Sequence, residues 1–142
     1  MAAREGMVRV VNTPAGTGRN IRHDAILIAG KTGTAQAPPL RWPAFDEHGR
    51  KILDEKGRER KREVRPNTPG NPNPEAPWYR VSAKGERTHA WFIGFAPAEN
   101  PQIAFAVMLE YGGSGGNDAA PVVKELLDAC TKHRYLLLPG NG

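Results

Sequence analysis

The stretch AGKTGTAQ, Ala29–Gln36, puts one cation, two hydroxyls and two glycines into the five residues Gly30 to Thr34. Two kinds of chemistry use such a set. Gly30-Lys31-Thr32 matches the end of a phosphate-binding loop, but that loop also needs a glycine five residues earlier, so that its amides wrap the phosphates, and a helix opening at the Lys-Thr pair. Position 25 is alanine, Ile26-Leu27-Ile28 is an apolar run, and Pro38-Pro39 stop any helix soon after Thr32. A nucleotide site is therefore not expected.

As a strand, the same residues make an edge suited to a carboxylate. Residues 25–35, within a strand piece 21–36, pass from β-branched and apolar residues to small ones with no helical period, which predicts a strand running out to a sheet edge. Alternation puts Lys31 and Gly33 on one face and Thr32 and Thr34 on the other. Gly33 has no side chain to hold off a second extended chain, and the edge amides can bond to one, so a peptide carboxylate is the ligand that fits.

The other reactive side chains form no second site. His23, His48, His89 and His133 lack ligand spacing, so neither a metal nor a cofactor is expected. Cys130 is the only cysteine, which excludes an intrachain disulfide. A net charge of +5 and a pI near 9.7 invite comparison with nucleic-acid binders. Residues 46–65, however, hold eight Lys or Arg and six Asp or Glu, a mixed-sign run expected to be solvated surface, and no nucleic-acid motif accompanies it. There is no apolar run near the length of about 18 residues that a membrane span needs, and MAAREGMVRVV lacks a signal peptide's apolar core, so an anchor or export signal is not expected on this chain.

Four pieces must position the AGKTGTAQ strand. Residues 2–18 place Met7, Val10 and Val11 at helical spacing ahead of the breaker Thr13-Pro14-Ala15-Gly16, which predicts the last turns of a helix entering a loop. The strand piece follows. Residues 37–87 carry eight of the thirteen prolines and read as an insertion contributing little core. Within it, DEHGR (46–50) and DEKGR (54–58) predict two tight turns of a small hairpin or meander around Ile52 and Leu53, while PNTPGNPNPEAP is expected to be extended or mobile. Last, HAWFIGF and QIAFAVMLEY predict an antiparallel hairpin, the second strand central and covered on both faces. A helix is expected from a cap at Asn117 or Asp118, with Pro121 in its first turn and a core stripe Ala119, Val122, Val123, Leu126, Leu127 and Cys130. Trp91, Phe92 and Phe95 are assigned to sheet packing. His89 is a surface or capping residue, or else part of a cleft rim, and Trp42, Trp78 and Tyr79 could mark a contact with another protein.

Taken in order, IAGKTGTAQ, an insertion, HAWFIGFAP, QIAFAVMLEYGG and GNDAAPVVKELL, preceded by MVRVVNTPAGTG, resemble the C-terminal part of the transpeptidase domain of penicillin-binding proteins. The resemblance implies an α+β architecture, the C-terminal part of a β-lactamase/transpeptidase-like fold with antiparallel strands and a C-terminal helix. It implies acyl transfer by an active-site serine on D-alanyl-D-alanine stem peptides of peptidoglycan, with β-lactams bound at the same site. The parent protein would be membrane-anchored on the extracytoplasmic or periplasmic face and would supply the N-terminal part of the domain. Of the motifs S-x-x-K, S-x-N and K-[ST]-G, this chain has only the third; its two serines, Ser82 in SAKG and Ser114 in SGGN, begin neither of the others. The chain is thus expected to be inactive alone. By resemblance Lys31 and Thr34 are catalytic, the Thr34 amide forming half of an oxyanion hole, and Thr32, Gly33 and Thr34 bind substrate. A non-catalytic peptide- or protein-binding module on the same fold is the alternative.

Overall fold

The computed structural model describes residues 2–82 and 84–139. Helix α1 (Ala2–Asn12) runs into a tight loop and a 3-10 turn (Arg19–Ile21), then strand β1 (Ala29–Gln36). A short pair β2 (Arg41–Pro43) and β3 (Lys61–Glu63) follows, then β4 (Thr88–Ala96) and β5 (Ile103–Leu109). A π-helical turn (Gly115–Ala119) leads into helix α2 (Ala120–Lys132). The main sheet is antiparallel with order β1-β4-β5, so the expected α+β arrangement of antiparallel strands and a C-terminal helix is what forms.

Within this chain β4 lies between β1 and β5, and β5 has no described strand on its other side. β5 reads as continuously apolar because its outward members Ala104 and Ala106 are small and Met108 is flexible, and all three are exposed. Rungs such as Lys31–Ile93–Ala106 and Gly33–Trp91–Met108 belong to this uncovered face. The opposite face is the core, where Phe92 and Phe105 meet Val11, Ile21, Ile28, Val123 and Leu127. Ile26 and Ile28 are buried ahead of the first ladder rung, so the strand begins at Ala29 and not at position 25. Helix α2 buries Ala120, Val123 and Leu127 but leaves Val122 and Leu126 more than a third exposed, so only part of the expected stripe packs.

The helix starts earlier than its sequence suggests. Ser114 is the cap, its Oγ accepting from the Asn117 amide at 3.1 Å while its own amide donates to Asp118 Oδ2 at 2.8 Å. The first turn is π-helical, so the capping pair is spaced four residues apart instead of three, which hides it from the usual pattern.

Residues 37–87 are a folded arm. The tandem turns form as the repeats predict: Asp46 accepts from the amides of His48 and Arg50, and Asp54 likewise from Lys56 and Arg58, with Gly49 and Gly57 both at φ 74°. Each aspartate also binds the Arg four residues on, at 2.9 and 2.8 Å. The expectation of little core fails, however. Val64, Ala76 and Tyr79 are fully buried and close on Tyr111 of the main body, with Tyr79 and Tyr111 edge to face at 4.6 Å. Tyr79 Oη accepts from Arg87 Nε at 2.8 Å, and Tyr111 Oη donates to the Pro38 carbonyl at 3.1 Å. Burial, then the neighbouring Tyr79, pushes the Tyr111 phenol above its ordinary value of 10.0. Tyr79 is therefore a core residue, not a partner contact; Trp42 lies half-buried under the Arg62 guanidinium, and Trp78 alone of the three stays exposed. Within the proline-rich stretch, Asn73 is buried and bonded to Asn67, so that stretch is packed as well.

Two outcomes test this account of the arm. Tyr79→Ala should cost about 3 kcal/mol or more, as truncation of a large buried aromatic does, and the amides of Val64 and Tyr79 should exchange with deuterium far more slowly than those of Gly49 and Gly57; uniform fast exchange across 64–79 would restore the mobile-segment view. The carboxyls of Asp46 and Asp54 are held below the ordinary value of 3.8, chiefly by the amides of Arg50 and Arg58. A depressed carboxyl stabilises the fold above its unfolded pKa and ceases to as pH falls through the folded one. Both turns should thus persist to below pH 3.8 and loosen together in stronger acid, which a carboxyl-carbon NMR titration would register; midpoints at or above 3.8 would contradict the geometry.

Candidate functional site: a cleft at the edge of β1

Backbone parity fixes what the outer edge of β1 offers. The ladder continues past its last rung, with the Ala37 amide donating to the Arg87 carbonyl at 2.9 Å. In an antiparallel pair the backbone groups of alternate residues point toward the partner, so residues 37, 35, 33 and 31 face β4 while 34 and 32 face away. The N–H and C=O of Thr32 and Thr34 therefore lie on the edge that no described strand covers. Lys31 Nζ donates to the Thr32 carbonyl at 2.5 Å, and the amides of Thr32 and Thr34 are the outward donors at this edge.

Glycines bring three elements onto this edge. Gly18 and Gly30 both lie on the Phe92 ring, where a Cβ would fall 2.9 Å and 2.6 Å from ring carbons. That contact draws the loop before the 3-10 turn down to β1 and sets Thr17 Oγ1 2.8 Å from Thr32 Oγ1. A Cβ on Gly115 would fall 2.8 and 2.9 Å from Gly33 O and N, so the start of the π turn presses directly on the Gly33–Trp91 rung. Asn20 Nδ2 ties the 3-10 turn to the Gly116 carbonyl at 3.0 Å. Between these walls lies an open cleft of about 520 Å³ lined by Lys31, Thr32, Gly33 and Thr34. Thr17, Arg19, Ser114 and Asn117 complete its polar lining, and it holds no carboxylate among the described residues.

All four expected residues thus line one cleft. The sequence reading missed Thr17, Arg19 and the glycine loop; their signal was the AGTGRN stretch, whose glycines have a use only once Phe92 lies beneath them. Lys31 lies on the face opposite Thr32, as alternation requires, and its ammonium turns round to the edge. His89 takes no part in the cleft, since its Nδ1 accepts from the Tyr111 amide at 3.1 Å and caps the bend at that residue, where φ is 50°. Neither serine is poised as a nucleophile. Ser82 Oγ accepts from the amides of Lys84 and Glu86, and Ser114 Oγ is the helix cap. Among the described residues no helix is long and apolar enough to cross a membrane.

The close approach at Gly115 gives a direct test. Gly115→Ala should lift the π turn off the Gly33–Trp91 rung and cost about 1–3 kcal/mol, as overpacking does, whereas Gly70→Ala, with open space around it, should leave the melting temperature nearly unchanged; equal melts for the two would mean the loop does not rest on the strand.

Residues 77–128 match the family model described as penicillin binding protein transpeptidase domain. The chain is 34% identical over 128 residues to the peptidoglycan D,D-transpeptidase MrdA of Haemophilus influenzae, covering 89% of this chain and 15% of that protein. It is 33% identical over 142 residues to the MrdA of Acinetobacter baumannii, covering 97% of this chain and 16% of the relative. The crystal structure of Pseudomonas aeruginosa PBP2 superposes with a TM-score of 0.53 at 34% identity, over 96% of this chain and 20% of that one. The chain spans about a sixth of the length of these curated relatives. By motif order, sequence match and fold, the chain is similar to part of the penicillin-binding protein transpeptidase domain and carries a KTG motif.

Proposed function

We propose that this cleft is the receiving half of a D,D-transpeptidase site that cross-links peptidoglycan stem peptides ending in D-alanyl-D-alanine and is acylated by β-lactams. The observation that carries the proposal is the outward Thr34 amide at a free strand edge, flanked by a cation and two hydroxyls and by no carboxylate among the described residues. A substrate chain laid along β1 meets that edge, and Gly33 lets it come close. The Thr34 N–H donates to the oxygen that becomes negative as the carbonyl turns tetrahedral, a donation worth about 3–4 kcal/mol because it strengthens only in the transition state. Lys31 raises the local concentration of anionic substrate and stabilises charge beside that oxygen, and the hydroxyls of Thr32 and Thr34 receive the terminal carboxylate. The nucleophilic serine and its lysine come from residues outside this sequence, since no S-x-x-K lies within it. In the parent protein the site faces the cell wall from a membrane anchor. Residues 37–87 are an insertion between the KTG strand and its partner, a reading supported by the Ala37–Arg87 bond at which the arm leaves and rejoins one rung.

The test uses labelled penicillin and mass spectrometry. The chain alone should form no covalent adduct, and a stoichiometric acyl group on Ser82 or Ser114 would overturn its role as a receiving half. In the complete protein, Thr34→Pro removes the outward N–H at a position a strand edge tolerates and should slow acylation by about 10²–10³-fold with little change in melting. Lys31→Ala should slow it comparably. Normal acylation by both variants would refute the mechanism and favour a module that binds peptides along β1 without acting on them.

A further inference from the structure

The two cations of the cleft stand on different sides of β1. Lys31 projects from the face it shares with Ile93, and its ammonium already donates a hydrogen bond to the Thr32 carbonyl. The Thr32 hydroxyl is on the other face, bonded to Thr17, and the residue two positions beyond Thr17 is Arg19. Its backbone is fixed: the Arg19 carbonyl accepts from the Arg22 amide at 3.0 Å, the adjacent Asn20 grips Gly116, and Gly18 lies on Phe92. Its guanidinium is exposed, lines the cleft, and has no carboxylate or carbonyl partner among the described residues. By contrast Arg50, Arg58, Arg62 and Arg87 are each paired with an acid.

We infer that Arg19 is the cation that pairs with the substrate's terminal carboxylate at the Thr32 side of the cleft, while Lys31 serves the strand edge where the acyl carbonyl lies. This rests on the carboxylate-binding reading above and divides its labour. A guanidinium presents two parallel N–H groups that match the two oxygens of a carboxylate, and the Thr17–Thr32 hydroxyl pair supplies a further donor alongside. An ammonium turned to the Thr32 carbonyl at the strand edge offers no such fork. Arg19 therefore sets a specificity: peptides with a free C-terminal carboxylate bind, and their C-terminal amides do not.

The experiment compares N-acetylated D-alanyl-D-alanine with its C-terminal amide by calorimetric titration of the complete protein that carries this chain. Wild type should prefer the acid by about 10- to 100-fold, the scale of charge-assisted hydrogen bonding. Arg19→Gln should abolish most of that preference, Arg19→Lys should restore part of it, and Lys31→Gln should keep most of it while losing acylation rate. Because the Arg19 side chain is exposed, its variants should melt with the wild type. An unchanged ratio in Arg19→Gln, or no preference in wild type, overturns the assignment. If the ratios behave as stated but labelled penicillin leaves no adduct on wild type, the transpeptidase reading fails and the pairing of Arg19 with carboxylate stands.

Discussion

The contact of Gly115 with the Gly33–Trp91 rung is the constraint from which the cleft takes its shape. Two glycines face each other there, one in the strand and one in the loop, and a methyl group on the loop residue would collide with backbone rather than with a side chain able to move. The Ser114–Asp118 cap holds the loop in place, and Arg80 of the arm reaches Asp118 at 3.5 Å from outside. The cleft floor is thus set by backbone against backbone, and the side chains that line it inherit their positions. Such a site is rigid at the strand and open at the edge, the combination a cleft needs when its ligand is another extended chain.

The charge of the chain is put to two uses, distinguished by what surrounds each cation. In the arm, basic side chains complete structure: Arg50 and Arg58 close the two turns, and Arg62 and Arg87 bridge to Glu75 and Glu63. These pairs are solvent-exposed and individually weak, but they cancel the field of the arm locally. At the cleft no acid answers Arg19 or Lys31 among the described residues. A positive potential therefore survives at the strand edge although the most basic segment of the sequence lies elsewhere.

Elements specified by local chemistry were legible in the sequence. The twin Asp-x-x-Gly-Arg turns, the β4–β5 hairpin and the KTG strand each carry their own signal in residue type and spacing. Elements specified by distant partners were not. Tyr79 sits in a proline-rich stretch that looks solvated, and only Tyr111, far along the chain, makes it core. Ser114 was hidden by the extra residue of a π turn, and Arg19 by having no motif of its own. The candidate site was therefore half visible: its strand could be read, but its opposite walls required the fold.

The arm joins the sheet at a single rung, Ala37 opposite Arg87. The number of residues between those two does not enter the register of β1 on β4. Tyr111 nonetheless ties the arm to the body. It belongs to the body, yet its ring packs on Tyr79 and its hydroxyl binds Pro38, both parts of the arm. A homologue with a tight turn in place of the arm has nothing to cover an aromatic at that position. The arm and the residue at position 111 are thus coupled by packing, and a shorter arm would call for a smaller or more polar side chain there.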